Sequence, residues 1–309
     1  MSSKKALVLL NMGGARSKEE LALFLKNMFN DENILTMKNK RFRSMIASFI
    51  ISSRLDEAWE NYEKIGGKSP LHELTEKLVI KLQEELKDEY FVTSTMRYTE
   101  PFAIDTLTEL IENNINEIVL LPLYPQYSTT TTKSSLDDFM ELTKMDYKIT
   151  IIPPFYKNDL FNDAICDEIQ KVKENSDDYY LIFSAHGLPQ KMIKKGDPYQ
   201  EQIENHVEIL KEKLKNRGLV FEGIHLAYQS KVGPMKWLEP SLDYILEFFK
   251  DKKVIIYPIA FIIDNSETIF ELDIEYREIA EEFGLKDYKV CSCVNDNVKF
   301  IDSVKEMIK

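Results

Sequence analysis

Two kinds of hydrophobic pattern alternate along the chain. Short apolar runs rich in β-branched and aromatic residues recur at Leu7–Leu10, Tyr90–Thr95, Glu117–Leu123, Lys148–Ile152, Tyr179–Phe183, Ile224–Tyr228, Lys253–Pro258 and Lys289–Val294. Most are too short for a helix and carry no polar face, which predicts strands buried on both sides, as in parallel sheets. Between them, apolar residues repeat at steps of three and four, predicting helices near 18–29, 45–65, 71–86, 101–114, 198–215 and 296–308. Ser69-Pro70 opens the third of these with proline at a helix start, where it is tolerated. Strand and helix alternate throughout, which places the chain in the α/β class with parallel sheets.

The same plan occurs twice. LVLLNMGG corresponds to LIFSAHGL, TSTMRY to LAYQSK, and VLLPLYPQYSTTT to IIYPIAFIIDNSET. This repetition, with Pro153-Pro154 as a boundary, predicts halves at 1–155 and 156–295. A terminal helix, 296–309, is expected to pack back on the first half. Two such sheets facing one another would gather their post-strand loops around one cleft. In this scheme YPQYSTTTTKSS is a polar, proline-punctuated loop.

Composition narrows the class. At 309 residues the chain has room for two cores; 44% hydrophobic and 30% charged residues fit an ordinary globular protein. A net charge of −12 argues against a nucleic-acid partner. Cys166, Cys291 and Cys293 form no C-x-x-C pair, so neither a zinc site nor a redox motif is signalled. MSSKKALVLLN is too short in its apolar part for a secretory leader, and no apolar run approaches the roughly 18 residues of a membrane span. The expectation is a cytoplasmic protein, at most peripheral to a membrane surface.

The candidate chemistry concentrates in the second half. Asp264, Glu267, Glu271, Glu275 and Glu278 recur at helical spacing directly after a buried strand. Such a stripe is commonly just a solvated face. Here it starts where open α/β sheets place ligand crevices, and its mutual repulsion asks for a cation. His186 follows another buried strand and is flanked by Gly187 and Pro189. The other histidines read as structural, with His72 at the surface, His206 in a helix and His225 in a strand. Ser184 lacks the G-x-S-x-G context of a nucleophile. A lone histidine, an acidic ladder, and Met12, Tyr62, Tyr98, Tyr124, Tyr127, Trp237 and Phe261 together suit a flat apolar macrocycle met by a metal ion.

The runs LLNMGG, YEKIGGKSP, MRYTEP, YPQYSTTTT, FSAHGLP, GDPY, YQSKVGPMKWLEP and PIAFIIDNSETIFELDIEY resemble, in order and over nearly the whole chain, those of the ferrochelatase family. The resemblance implies two similar Rossmann-like domains, each with a four-stranded parallel sheet flanked by helices. It also implies insertion of Fe²⁺ into protoporphyrin IX to form haem. By it, His186 and Glu267 are catalytic, on opposite sides of the macrocycle's centre, and His186, Glu267 and Glu271 handle the metal. Arg97 and Tyr98 lie near the metal on the other face, and Met12 touches the ring centre. Tyr62, Ser69, Tyr124, Ser128 and Thr130 match pocket or propionate-side positions, and Trp237 and Phe261 match pocket walls. The family's helix at Glu267 carries a π-bulge. Where many members have a histidine two residues before the glutamate, this chain has Asn265. Iron and porphyrin are then substrates, with no tightly bound cofactor or iron–sulfur cluster, and a monomer is expected. The rivals are a chelatase for coproporphyrin or for cobalt and sirohydrochlorin, and a porphyrin carrier without chemistry.

Overall fold

The computed structural model describes residues 5–87, 89–143, 147–173, 177–231 and 233–309. The first four residues, on which part of the leader argument rests, and Val232 lie outside that set. The chain divides into two compact units, one of residues 1–124, 128–153 and 307–309, the other of 125–127 and 154–306.

In the first unit, β1 (Lys5–Asn11), β2 (Tyr90–Met96), β3 (Glu117–Pro122) and β4 (Lys148–Ile151) form a parallel sheet ordered β2-β1-β3-β4. The central β1 is buried from Ala6 to Asn11, as expected of a strand covered on both faces. Helices α1 (Lys18–Asn30), α2 (Lys40–Lys64), α3 (Leu71–Leu86), α4 (Ala103–Glu112) and α5 (Ser134–Leu142) flank the sheet. Ala6, Val8 and Leu10 pack with Leu107, Leu110 and Phe139 in one cluster. Each such buried Val or Leu contributes about 1.5–3 kcal/mol.

Two expectations for this unit fail. The threonine run is no loop: Thr129–Lys133 is a π-helical turn leading straight into α5. Four β-branched residues are poor helix formers, which hides the turn in sequence. It forms because the Ser128 hydroxyl accepts the Thr130 N–H at 3.2 Å and Phe139 anchors α5 in the core. His72 is half-buried, not superficial, with Nε2 3.1 Å from Thr99 Oγ1. Burial and the Arg16 charge lower its pKa.

The second unit repeats the topology. β5 (Tyr179–His186), β6 (Gly223–Gln229), β7 (Lys253–Pro258) and β8 (Asp287–Val290) pair in parallel in the order β6-β5-β7-β8. Around it lie α6 (Asp159–Lys173), α7 (Gln190–Ile193), α8 (Tyr199–Asn216), α9 (Leu242–Leu246), α10 (Tyr276–Glu282) and α11 (Val298–Met307), with a π-helix at Glu267–Glu275. His206 lies wholly inside; its ring nitrogens meet Gln126 Nε2 at 2.8 Å and Asn162 Oδ1 at 2.7 Å, and burial pulls its pKa to about 3. It is a neutral structural histidine.

The last strand comes earlier than the sequence suggested. Pairing stops at Val290, because Asp264 Oδ1 takes the Cys293 N–H at 3.1 Å and Ile262 O takes that of Asn295 at 2.8 Å. All three cysteines are buried, which raises their thiol pKa values, that of Cys166 to about 11. The body of α11, expected on the first half, groups with the second unit, where Phe300 meets Phe161 and Phe155 with ring centroids 5.7 and 6.2 Å apart. Residues 307–309 group with the first, where the Ile308 carbonyl accepts from Tyr90 Oη at 3.1 Å. Among the described residues no helix is long and apolar enough to cross a membrane.

Candidate active site

In each sheet the strand order reverses beside the first strand, between β1 and β3 and between β5 and β7, and such switch points open a crevice at the strands' carboxyl ends. In the second unit that end is where the acids collect. β5 continues further than its apolar run, so His186 is its last residue, in register with Gln229, rather than part of a loop. Two contacts fix the histidine backbone. Tyr199 Oη donates to the His186 carbonyl at 2.9 Å, and the Gly187 N–H donates to Gln229 O at 2.8 Å. A Cβ at Gly187 would stand 2.7 Å from that same carbonyl, so only glycine allows this approach.

From there a line of side chains runs along the π-helix. His186 Nδ1 lies 2.7 Å from Glu267 Oε2, so the two stand side by side and not, as the resemblance implied, on opposite sides of a ring's centre. The Ser230 hydroxyl lies 2.7 and 2.9 Å from the two Glu271 oxygens and 3.3 Å from Glu267 Oε2, so its one proton serves both acids. Gln229 Nε2 reaches Glu271 at 3.3 Å, its amide oriented by the Ser184 hydroxyl, which donates to Gln229 Oε1 at 2.7 Å. The histidine and Glu267 side chains keep 37% and 32% of their surface open, enough to meet a substrate.

The π-helix spans nine residues, longer than a single-turn bulge. Its wider turn keeps Glu267 and Glu271, four apart, on one side. Its start is held by two residues of the expected stripe and its border. Asp264 accepts from the Cys293 N–H at 3.1 Å, Thr268 Oγ1 at 2.9 Å and Asn295 Nδ2 at 2.7 Å, so it is a structural latch and not a step of the ladder. Asn265 Oδ1 accepts the Glu267 N–H at 2.8 Å, a local turn that asparagine makes readily. Glu275 and Glu278 are exposed.

Burial alone would pull the His186 pKa down, but the Glu267 carboxylate outweighs it and raises the imidazole to about 9. Burial pushes Glu267 up, yet the imidazolium beside it leaves its pKa below the usual value. The pair therefore shares one proton near neutrality, held on the histidine. Glu271 is raised to about 7 by burial and by the Glu267 charge. It is the acid poised to exchange a proton at neutral pH. Among the described residues no three His, Cys, Asp or Glu side chains form a ready-made metal cage. The expected metal set thus stands in a hydrogen-bonded row and does not surround one point.

The first-unit candidates form a different cluster. Arg97 donates to Ser134 Oγ at 2.9 Å, Asp138 Oδ1 at 3.1 Å and Asp31 Oδ2 at 3.2 Å. Tyr98 is wholly buried and donates to Asp31 Oδ2 at 2.9 Å, and Ser134 also bonds to Asp31. Met12 follows β1, partly exposed, its carbonyl accepting the Tyr98 N–H at 2.9 Å. Tyr62 stacks on Trp59 in the cluster of Ala15 and Leu21. Ser69 fills the space beside Gly14, 2.7 Å from where a Cβ there would lie. Tyr124 is buried against Ser135 at 3.1 Å, and Ser128 and Thr130 cap the π-turn. In the second unit Trp237 bridges to Pro189 beside Gly187, and Phe261 sits in the turn after β7. A cavity of about 480 Å³ in the first unit, lined by Arg16, His72, Glu76, Asp105 and Glu109, takes in none of the expected site residues.

The family model described as Ferrochelatase matches residues 4–309. The chain belongs to the ferrochelatase family. A protein named Ferrochelatase from Nitratiruptor sp. is 51% identical over 308 residues, covering 98% of each chain, and one from Helicobacter pylori strain J99 is 45% identical over 314 residues, covering 100% of this chain and 93% of its own. Among solved structures, SirB from Bacillus subtilis with Fe³⁺ superposes with a TM-score of 0.59 at 10% identity, over 98% of this chain and 95% of that one. That likeness shows a shared fold. As a ferrochelatase-family member the chain is an enzyme of the porphyrin metal chelatase class, and its fold is the chelatase fold of two similar four-stranded parallel-sheet units.

Within that family fold, Ser230, Gln229, Asp31, Ser134 and Asp138 are the contacts that reading for isolated chemistry missed. The internal repeat carried the signal for the first. TSTMRY laid on LAYQSK puts Ser230 opposite Arg97, and continuing the TTT–SET register puts Glu271 opposite Ser134.

Proposed function

We propose that the chain inserts ferrous iron into protoporphyrin IX, the closing step of haem synthesis, with iron as substrate and not as resident cofactor. Two pyrrole N–H protons leave as Fe²⁺ enters, so the site needs to pass on two protons and present a partly desolvated cation. Glu267 and Glu271 receive the cation, and Ser230 keeps their carboxylates side by side. Near neutrality the His186–Glu267 pair already holds a proton. A cation settling on Glu267 removes the charge that keeps the imidazole protonated, lets that proton go, and frees His186 to accept one from a pyrrole. Glu271, with a pKa near 7, takes up and releases protons beside it. Bending the ring to expose its nitrogen lone pairs would draw on contacts away from the metal, in the class of Trp237 and Phe261.

The observation that most supports this is the row His186–Glu267–Ser230–Glu271 at a strand-end crevice, where a pure carrier would have no use for two adjoining carboxylates. The test is anaerobic incubation with Fe²⁺ and protoporphyrin IX, following conversion of the porphyrin spectrum to that of haem. Parallel runs use coproporphyrin III with Fe²⁺ and sirohydrochlorin with Co²⁺. Faster turnover in either parallel run would reassign the substrate, and binding without turnover in all three would leave a carrier.

A further inference from the structure

The outer edge of β2 is closed at both ends and open at one rung. β2 is the last strand of its sheet. The Glu89 carbonyl accepts the Lys5 N–H and the Arg97 N–H donates to the Asn11 carbonyl, so both face β1. With a period of two, residues 91, 93 and 95 face β1 as well, and 90, 92, 94 and 96 turn their N–H and C=O groups outward. The Gln83 amide covers the first of these, donating to the Tyr90 carbonyl at 3.1 Å and accepting the Val92 N–H at 2.9 Å. At the far end the Thr106 hydroxyl donates to the Ser94 carbonyl at 3.1 Å, and the Met96 N–H to the Pro101 carbonyl at 2.7 Å. The Val92 carbonyl and the Ser94 N–H remain, and among the described residues neither has a partner. Thr93 and Ser94 lie in the wall of the cavity of about 480 Å³ between α3 and α4. That volume is within the roughly 300–1,000 Å³ of small-ligand sites. The lining charge is one-sided. Glu76 of α3 and Asp105 and Glu109 of α4 take part in it, and among the described residues no lysine or arginine pairs with any of them. Arg16, also in the wall, is already neutralised by Glu20, its Nε 2.9 Å from Oε2.

We infer that this cavity binds an extended basic peptide, one residue of which pairs with the open rung of β2. A carbonyl at 92 and an N–H at 94 are the pair that a parallel neighbour uses, because one residue opposite Thr93 donates to the first and accepts from the second. The guest therefore runs in the same direction as β2. Its central side chain falls on the face of Thr93, whose hydroxyl donates to Glu109 Oε2 at 2.9 Å. A lysine or arginine there meets Glu109 and Asp105, while the residues on either side of it point to the α3 face, where Glu76 stands. A bare cation or a simple amine has no use for the Ser94 N–H, which is a donor. A second copy of the chain pairing along β2 would need the rungs that Gln83 and Pro101 already fill.

The test is fluorescence anisotropy of the full chain with a dye-labelled peptide Ala-Val-Arg-Val-Ala, blocked at both ends. Two matched probes carry glutamate or N-methylarginine in place of the arginine. The arginine peptide is expected to bind saturably, and the glutamate peptide on the order of 100-fold more weakly. The N-methyl peptide lacks the N–H for the Val92 carbonyl and should bind about tenfold more weakly. On the protein, Ser94→Pro deletes the outward N–H of an edge strand, where proline is tolerated, and lowers binding about tenfold or more. Glu109→Gln keeps an acceptor for Thr93 and lowers binding about tenfold. Thermal melts confirm that each variant is folded; if Ser94→Pro is not, the N-methyl probe and Glu109→Gln decide. Four results overturn the inference: no binding of the arginine peptide at millimolar concentration, equal binding of the glutamate peptide, equal binding of the N-methyl peptide, or undiminished binding by the folded variants. A concentration-dependent dimer in ultracentrifugation that Ser94→Pro abolishes overturns it too, since the edge would then belong to a second copy.

Discussion

The two units place the same kind of cluster at the same point of the same topology, and differ in what carries its positive charge. In the first, Arg97 after β2 is bonded to Asp31 and Asp138 and to Ser134 at the start of α5. In the second, Ser230 after β6 takes the place of Arg97, Glu271 that of Ser134, and His186 that of Met12. Each cluster holds two carboxylates and one cationic group. A guanidinium keeps its charge at any pH the protein meets, so the first cluster is permanently compensated. An imidazolium can give up its proton, so the second cluster's positive charge can leave, which in the proposed reaction lets a metal ion replace it. A duplicated scaffold has thus become a fixed ion cluster on one side and an exchangeable one on the other.

The sharpest way to break the comparison is to remove the acid that holds the exchangeable charge. Glu267→Gln should abolish iron insertion while leaving porphyrin binding, read by fluorescence quenching, nearly intact, because charge is removed and shape kept. Wild-type turnover in this variant would reduce the row to a solvated face.

His186→Ala comes next. Losing a general base typically costs about 10²–10⁴-fold in turnover, with the KM for metal little changed. The wild-type pH profile should carry an inflection near 9, where the paired imidazole loses its proton, and the variant should lack it. Recovery of turnover at high metal concentration would mark His186 as a ligand.

The fixed cluster should behave oppositely. Arg97→Met leaves Asp31, whose side chain is only 2% exposed, without its cation, and breaking such a buried pair costs about 3–5 kcal/mol. Chemical denaturation should show that loss across the neutral range, without the pH dependence seen in the other unit. Arg97→Lys should restore part of it, less the planar contacts to Ser134 and Asp138.

Most of this architecture was legible in the chain. The inner strands β1, β3, β5 and β7 announced themselves because they are apolar and buried on both faces. The edge strand β4, by contrast, is largely exposed, and β8 lies earlier than its apolar run suggested. The repeat in sequence matches the shared order of the two sheets. His186 and Glu267 stood out by following buried strands. What could not be read was anything set by contacts distant in sequence. Asp264 looks like one more acid of the stripe, and only the return of the chain at Cys293 and Asn295 makes it a latch. Tyr98 looked like a substrate contact and is instead sealed against Asp31, a residue 67 positions away. Helix α5 was missed because the π-helical turn that leads into it is made of threonines, whose propensity argues against the structure their cap imposes.

The smallest effect tests whether the second cluster gives up stability for its chemistry. Glu271 is raised from an ordinary carboxylate value to about 7 by burial and by Glu267, so the folded protein binds its proton more tightly than the unfolded chain does. The sign follows from linkage. Below about pH 4.5 both states are protonated and nothing is lost; between there and 7 the unfolded chain ionises first, and above 7 the fold carries the full penalty of a crowded carboxylate. Glu271→Gln removes that penalty. It should raise stability at pH 8 by about 1–3 kcal/mol, seen as a higher Tm, and change little at pH 4. The same variant should raise the KM for metal about tenfold while turnover at saturating metal falls less, and flatten the gain in metal affinity that the wild type shows as pH rises through 7. A variant that gained no stability at pH 8 would mean that Glu271 is already compensated, and the contrast between a fixed and an exchangeable cluster would lose its second acid.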